Sequence, residues 1–281
     1  MSGTRDMPRE LVDTDRYPLG DAAARGMIVA QARRGLAAEG CAILPGFVRT
    51  EVAARMAQEV RALVPIAHRR DIELRAYPGE PDATLPATDP RMRRHPFCMR
   101  VVAADEFPRD GLIMRLYGWD GLTGLIAATL GESSLHRCAD ALLSCNATVM
   151  GDGDQHGWHF DSNDFVVTLL LQAPERGGRF VFAPGIRDDD RPNYAGVARA
   201  MDGDEDLLRV PTMAPGALVL FRGKRALHRV TPVEGSRQRI IAIFSYDRRP
   251  DMQFSDRTRL NAVGRTAPRI ASSHPAGGTS P

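Results

Sequence analysis

The chain is poor in the features that mark most specialised classes of protein. It holds four cysteines in 281 residues (Cys41, Cys98, Cys138 and Cys145) and no CxxC pair. That usage argues against a disulfide framework. It fits reduced thiols packed as small apolar side chains in a cytoplasmic protein. No uninterrupted apolar run approaches membrane-spanning length, so no transmembrane helix is expected. The opening stretch, MSGTRDMPRELVDTDR, mixes both charge signs without an apolar centre, unlike a signal peptide. Aromatic residues make up 6% of the chain and the formal net charge is +2. There is no concentrated basic and aromatic surface signature, so neither a nucleic-acid nor a polyanionic partner is expected. No internal repeat is visible, and no linker divides the chain into independent halves.

What is present is ordinary globular material, 43% hydrophobic and 26% charged, enough for one large core or two modest ones. Apolar residues recur at helical spacing over residues 21–39, ending at Gly40. CAILPGF reads as a short strand and turn. Thr50 is placed to cap a second helix, with Glu51 in its first turn, and Pro65 stops it. Residues 69–100 carry many charges and five prolines. They read as a long irregular segment, either a lid over a pocket or a solvated loop. A further helix is expected over residues 121–130, ending at Gly131.

From Ala141 the pattern changes to strands. ALLSCNATVM, DFVVTLLLQA, RFVFAP, ALVLF and RQRIIAIFSYD are separated by Gly and Pro turns with no helices expected between them. This predicts an α+β protein with an antiparallel barrel or jelly-roll core and the helical N-terminal half packed outside it. The expected organisation is an N-terminal extension over residues 1–20 and a single domain over 21–260. That domain has a lid-like loop near 69–100 and a β core near 141–247. A mobile tail over 261–281 makes His274 a poor ligand candidate.

The chemistry concentrates in His159-Phe160-Asp161, followed by His228 and then Arg237. Residues i and i+2 of an extended segment point to one side, so His159 and Asp161 can present a nitrogen and an oxygen to one metal. His228 follows another strand, ALVLF, which a jelly roll can bring alongside. Two imidazoles and a carboxylate suit iron(II) with positions left open for an oxo-acid and dioxygen. Asn146 and Thr148 share one face of a candidate core strand and are candidate partners of that oxo-acid.

On these residues, and on GGRFVFAPG, APGALVLF and HRVTPVEGSRQRIIAIF, the chain resembles the iron(II)- and 2-oxoglutarate-dependent oxygenase superfamily. LAAEGCAILPGFVRTEVAARMAQEV is similar to the opening helix, strand and helix of phytanoyl-CoA-dioxygenase-like members. The resemblance covers most of residues 35–246 and is weak over 69–131. It implies a double-stranded β-helix fold. His159, Asp161 and His228 would be iron ligands, and 2-oxoglutarate and dioxygen would be cosubstrates, with ascorbate as an aid to activity. The distal carboxylate of 2-oxoglutarate would pair with an arginine nine or eleven residues after the distal histidine, Arg237 or Arg239. Both fall on the same side if the strand runs through them. An arginine suits the task because its planar fork binds a carboxylate bidentately. Some relatives carry a serine two residues after the first arginine; here Arg239 stands there.

QHGWHFDSNDFVVTLLLQAPERGG is similar to the subgroup containing free-amino-acid radical halogenases and their hydroxylating relatives. By that match His156 would contact a substrate carboxylate. In the halogenases a small residue replaces the carboxylate ligand. Asp161 is therefore expected to favour hydroxylation of an unactivated C–H bond, with desaturation and cyclisation still open. Arg91, Arg93, Arg94 and Arg100 are candidate anion handles for a small polar substrate, and Asp164 or Asp140 candidate cation handles. Trp158, which alternates with His159, is expected to pack behind the site. The resemblance leaves two other readings open: a phytanoyl-CoA-like oxygenase of a lipid or specialised metabolite, and a non-catalytic jelly-roll metal-binding module. The expected partner is a small molecule, with no membrane or nucleic acid; a homodimer is compatible with the sequence.

Overall fold

In the computed structural model, residues 9–269 other than 78 and 81 are described. The expectations for the start of the N-terminal extension, for most of the tail and for His274 lie outside the described residues. The helices are α1 (Ala22–Glu39), α2 (Thr50–Leu63), α3 (Leu112–Tyr117), α4 (Asp120–Leu130), α5 (Tyr194–Met201) and α6 (Asp256–Val263). The longer strands are β1 (Cys41–Leu44), β2 (His68–Arg75), β3 (Arg94–Val102), β5 (Cys145–Met150), β6 (His156–His159), β7 (Val166–Gln172), β9 (Phe180–Ala183), β10 (Leu218–Phe221), β11 (Leu227–Val230) and β13 (Arg239–Phe244). Two-residue strands β4 (His136–Arg137), β8 (Arg176–Gly177), β12 (Val233–Glu234) and β14 (Tyr246–Asp247) form small side ladders.

The ten longer strands make one curled antiparallel sheet in the order β1-β10-β7-β13-β5-β3-β6-β11-β9, with β2 paired to β3. This is the expected jelly roll. Alternation along the strands divides its two surfaces. Cys145, Ala147 and Val149 of β5 enter the main core with Met56 of α2, Ile113 of α3 and Ile126 of α4. Thr148 and Met150 face the interior cavity instead. Local signals set the helix ends. The Asp21 side chain accepts from the Ala24 N–H at 2.7 Å and caps α1. Gly40 ends that helix in the left-handed region, with φ 63°.

Three expectations are corrected. Residues 69–100 are not irregular throughout: β2 and β3 pair along their full length, from His68↔Val101 to Arg75↔Arg94. Their alternation is masked because Arg70 occupies one inward position beside Ile72 and Leu74. The N-terminal half therefore adds three strands to the sheet as well as packing helices on it. Thr50 is the first helical residue of α2 rather than its cap; Arg49 holds the cap position and offers no side-chain bond. Helix α5, between β9 and β10, and helix α6 were not anticipated. The four cysteines are free, as expected. Burial pushes the Cys41 and Cys138 thiols up to about 12, which leaves them unreactive. No helix among the described residues is long and apolar enough to cross a membrane.

Candidate metal centre

Strands β6 and β11 run antiparallel with His159 directly opposite His228. Asp161 follows the end of β6, where its N–H donates to the Gly223 carbonyl at 3.1 Å. The loop leading into β11 is thereby tied to the carboxylate. The ligand atoms of His159, Asp161 and His228 all lie within 4.8 Å of one another. Asp161 Oδ1 is 3.6 Å from His159 Nε2 and 3.4 Å from His228 Nε2.

The outer ring nitrogens fix the tautomers. His159 Nδ1 donates to the Gly157 carbonyl at 2.8 Å, and His228 Nδ1 to the Ala226 carbonyl at 2.9 Å. Each ring then aims the lone pair of Nε2 inward. Burial, with His228 close beside it, pushes His159 down to about 3, so it stays neutral. Burial raises the Asp161 carboxyl less than the two imidazoles lower it, leaving it below the usual range. Its Oδ2 is buried with no hydrogen-bond partner among the described residues. Two imidazole nitrogens converge on an anionic carboxylate, one oxygen of which has no partner among the described residues, an arrangement that a cation would complete. Two nitrogens and an oxygen, with the remaining directions open to a cavity, fit iron(II).

That cavity, of about 110 Å³, is bounded by the triad, His156, Thr148, Thr168 and Arg239 among otherwise apolar residues. Arg239 is 6% exposed and has no acidic partner among the described residues. Burial alone lowers its pKa to about 10. A buried cation without a counter-charge is costly unless an anion completes it. Gly178, at φ 56°, leaves room for the arginine stem: a Cβ there would stand 3.2 Å from Arg239 Cδ.

Arg237 and Arg239 do not share a side. β13 begins at Arg239, and Arg237 belongs to the preceding turn, exposed and donating to the Pro174 carbonyl at 3.1 Å. Strand alternation does not apply across that boundary. Asn146 is buried on the Thr148 face of β5, opposite Ile243. His156 lines the cavity, stacked on the His159 ring at 4.1 Å and 15°.

The remaining handles lie elsewhere. Arg100 shares the face of Val102, which packs in the helix-side core, and so lies opposite to Phe97. Asp164 is exposed and paired with Arg248 at 2.9 Å and Lys224 at 3.6 Å. Asp140 is buried by bonds to Arg259 and to the N–H groups of Leu142, Leu143 and Phe254. Arg91, Arg93 and Arg94 pair with Asp89, Asp202 and Glu73. Trp158 is buried beneath the Arg229 guanidinium, 4.5 Å from the ring centroid.

Arg70 was missed. Its guanidinium lies 5.1 Å from the centroid of Phe97, whose ring also meets His156 at 4.8 Å and His159 at 5.4 Å. Its Nε is buried with no partner among the described residues, and burial lowers its pKa. The available signal was the alternation Arg70, Ile72, Leu74, which puts an arginine on the inward face of an otherwise apolar strand side.

The curled sheet and the His-Asp-His set together define the fold and metal-site class of the iron(II)- and 2-oxoglutarate-dependent oxygenases. Within that class the chain belongs to the Halogenase D family, matched over residues 25–261, and it is an enzyme. Solved structures of similar fold include AviO1 from Streptomyces viridochromogenes Tue57, at 17% identity and TM-score 0.53 over 79% of this chain and 95% of that one. The carbocyclase SnoK from nogalamycin biosynthesis is 13% identical, TM-score 0.52, over 84% and 92%. HygX from Streptomyces hygroscopicus, solved with nickel and 2-oxoglutarate bound, is 14% identical, TM-score 0.51, over 76% and 85%. No curated protein sequence matches the chain.

Proposed function

We propose that the protein is an iron(II)- and 2-oxoglutarate-dependent hydroxylase of a small polar substrate, a free amino acid or a derivative of one. The observation that carries this reading is a single cavity shared by three converging metal donors and the unpartnered Arg239 guanidinium. His159, Asp161 and His228 would hold the metal. Arg239 grips the distal carboxylate of 2-oxoglutarate, and the Thr148 hydroxyl, with Asn146 two residues away, supplies polar contacts near it. Iron(II) held by the triad would supply, with 2-oxoglutarate and dioxygen, the oxidising power for C–H hydroxylation. The protein positions the reactants and excludes water; no side-chain acid or base is required. Overall, substrate, dioxygen and 2-oxoglutarate become hydroxylated substrate, carbon dioxide and succinate.

The substrate class rests on His156 and Arg70. Both stand against Phe97 beside His159, and Arg70 Nε lacks a partner that a carboxylate would provide. Asp161 supports hydroxylation over halogenation, since it keeps a carboxylate in the ligand set. A specialised-metabolite or lipid substrate is the second reading, favoured by the apolar lining contributed by Val166, Val219, Phe221, Ile241 and Ile243. A panel of amino acids and apolar acids, incubated with iron(II), ascorbate, 2-oxoglutarate and chloride, tests both. Succinate release with a one-oxygen mass gain on an amino acid is the expected outcome. A chlorinated product, or turnover of apolar acids alone, would overturn it. Asp161→Ala should abolish oxygenation.

A further inference from the structure

Behind Arg239, only a few side chains separate the cavity that holds the triad from the protein surface. A surface groove of about 470 Å³ runs between the turn joining β7 to β9 and residues 210–213. Arg239, Phe180 and Met213 line both the groove and the cavity. These three side chains therefore form a shared partition. Met213 is unbranched and adaptable, so a partition containing it can open without moving the backbone.

The charges along the groove are unequal. Glu175 accepts from the Ser236 hydroxyl at 2.9 Å, and Arg176 pairs with Glu234 at 3.4 Å. Arg179 is exposed and has no carboxylate partner among the described residues. Arg237 donates to the carbonyl of Pro174, a residue of the groove wall. With Glu175 offset by the nearby Arg237 and Arg176 by Glu234, Arg179 and Arg239 are left as lining cations with no carboxylate partner among the described residues.

We propose that this groove is the route by which a small dicarboxylate reaches and leaves Arg239, with Phe180 and Met213 as its gate. The inference rests on the reading above that 2-oxoglutarate is the cosubstrate. Arginines at a concave mouth raise the encounter rate of an anion, and the floor arginine then receives the carboxylate that completes it. Succinate would leave the same way, without passing His156 and Arg70.

The test is the binding rate of 2-oxoglutarate to the anaerobic iron(II)-loaded protein, read by stopped-flow from the iron-to-ketoacid charge-transfer absorption. Arg179→Glu should slow association by about 3- to 10-fold at low salt, and the effect should fade near ~0.5 M salt. Arg34→Glu, on the exposed face of α1, carries the same charge change and should leave the rate nearly unaltered. Met213→Trp should slow association and dissociation by similar factors. Equal effects of the two charge reversals, or unchanged rates in Met213→Trp, would overturn the route. Absence of a charge-transfer signal in the unmodified protein would overturn the cosubstrate assignment and the route with it.

Discussion

Gly223 lies directly against the carboxylate of Asp161: any side chain at position 223 would overlap Asp161 Oδ2. The same glycine accepts the Asp161 N–H through its carbonyl, so backbone and side chain are held by one residue. Gly223→Ala must push the carboxylate away from the two imidazoles. Iron affinity should fall by about 10- to 100-fold, as when groups that orient metal ligands are lost. In an Asp161→Ala background the carboxylate is gone and only the Cβ of residue 161, at 3.0 Å, meets the added methyl, so it should cost little further affinity. Metal titration of the two single variants and the double variant checks this, and additive losses would contradict the steric account.

Arg239 and Arg237 should separate cleanly. Arg239→Met is expected to weaken 2-oxoglutarate binding by about 100-fold, corresponding to a lost buried charge pair of roughly 3 kcal/mol. It also removes a buried cation that has no protein partner, so the ligand-free protein should melt higher than wild type. Arg237→Ala should change affinity less than about 3-fold, in keeping with an exposed position. Calorimetric binding and thermal melts with and without 2-oxoglutarate read both effects. A stabilised Arg237→Ala with lost binding would reverse the assignment.

The sheet was legible wherever β-branched residues alternate or run together, as in Val166–Gln172 and Arg239–Phe244. The triad was legible because its spacing, i to i+2 before a strand and a third donor after another, is a property of extended backbone. Residues 69–100 were misread because charge hid alternation: the inward positions of β2 include an arginine, Arg70, which packs on Phe97. The positions of Arg100 and Asp164 could not be read from sequence because face and ion-pair partner are set by register. Val102 marks the face of Arg100, and Arg248 reaches Asp164 from 84 residues away. Arg237 was indistinguishable from Arg239 until the start of β13 was known.

The metal-free protein should lose stability on acidification in a particular window. The neutral His159 is held down to about 3 by burial, against an ordinary value near 6.5. The unfolded chain therefore binds a proton there first as pH falls. Stability is fully present above about 6.5 and declines toward 3, by up to about 1.4 kcal/mol per pH unit for one such group. His156, also lowered by burial and by His159, adds to the same slope. His159→Gln should flatten the decline in denaturant titrations between about pH 6 and pH 4. An unchanged slope would mean that the ring is not held neutral in the fold.

Arg70 and His156 should govern the organic substrate without touching the cosubstrate. Arg70 sits across Phe97 from the imidazole pair, with a buried Nε that has no partner among the described residues. A substrate carboxylate would satisfy it, and the guanidinium would then contribute the ~1.5–3 kcal/mol of a charge-assisted hydrogen bond. Arg70→Met keeps the stem packed on Phe97 and removes the charge, so KM for an amino-acid substrate should rise by roughly 10- to 150-fold. The affinity for 2-oxoglutarate should stay within about 2-fold, because Arg239 is a separate anchor on another strand. Arg70→Lys should recover only part of the loss, since an ammonium lacks the planar fork. His156→Phe should raise KM in the same direction while preserving the ring stack on His159. If Arg70→Met instead lowered kcat and 2-oxoglutarate affinity together with no change in KM, the arginine would be acting on the metal side of the cavity, and the amino-acid reading would lose its main support.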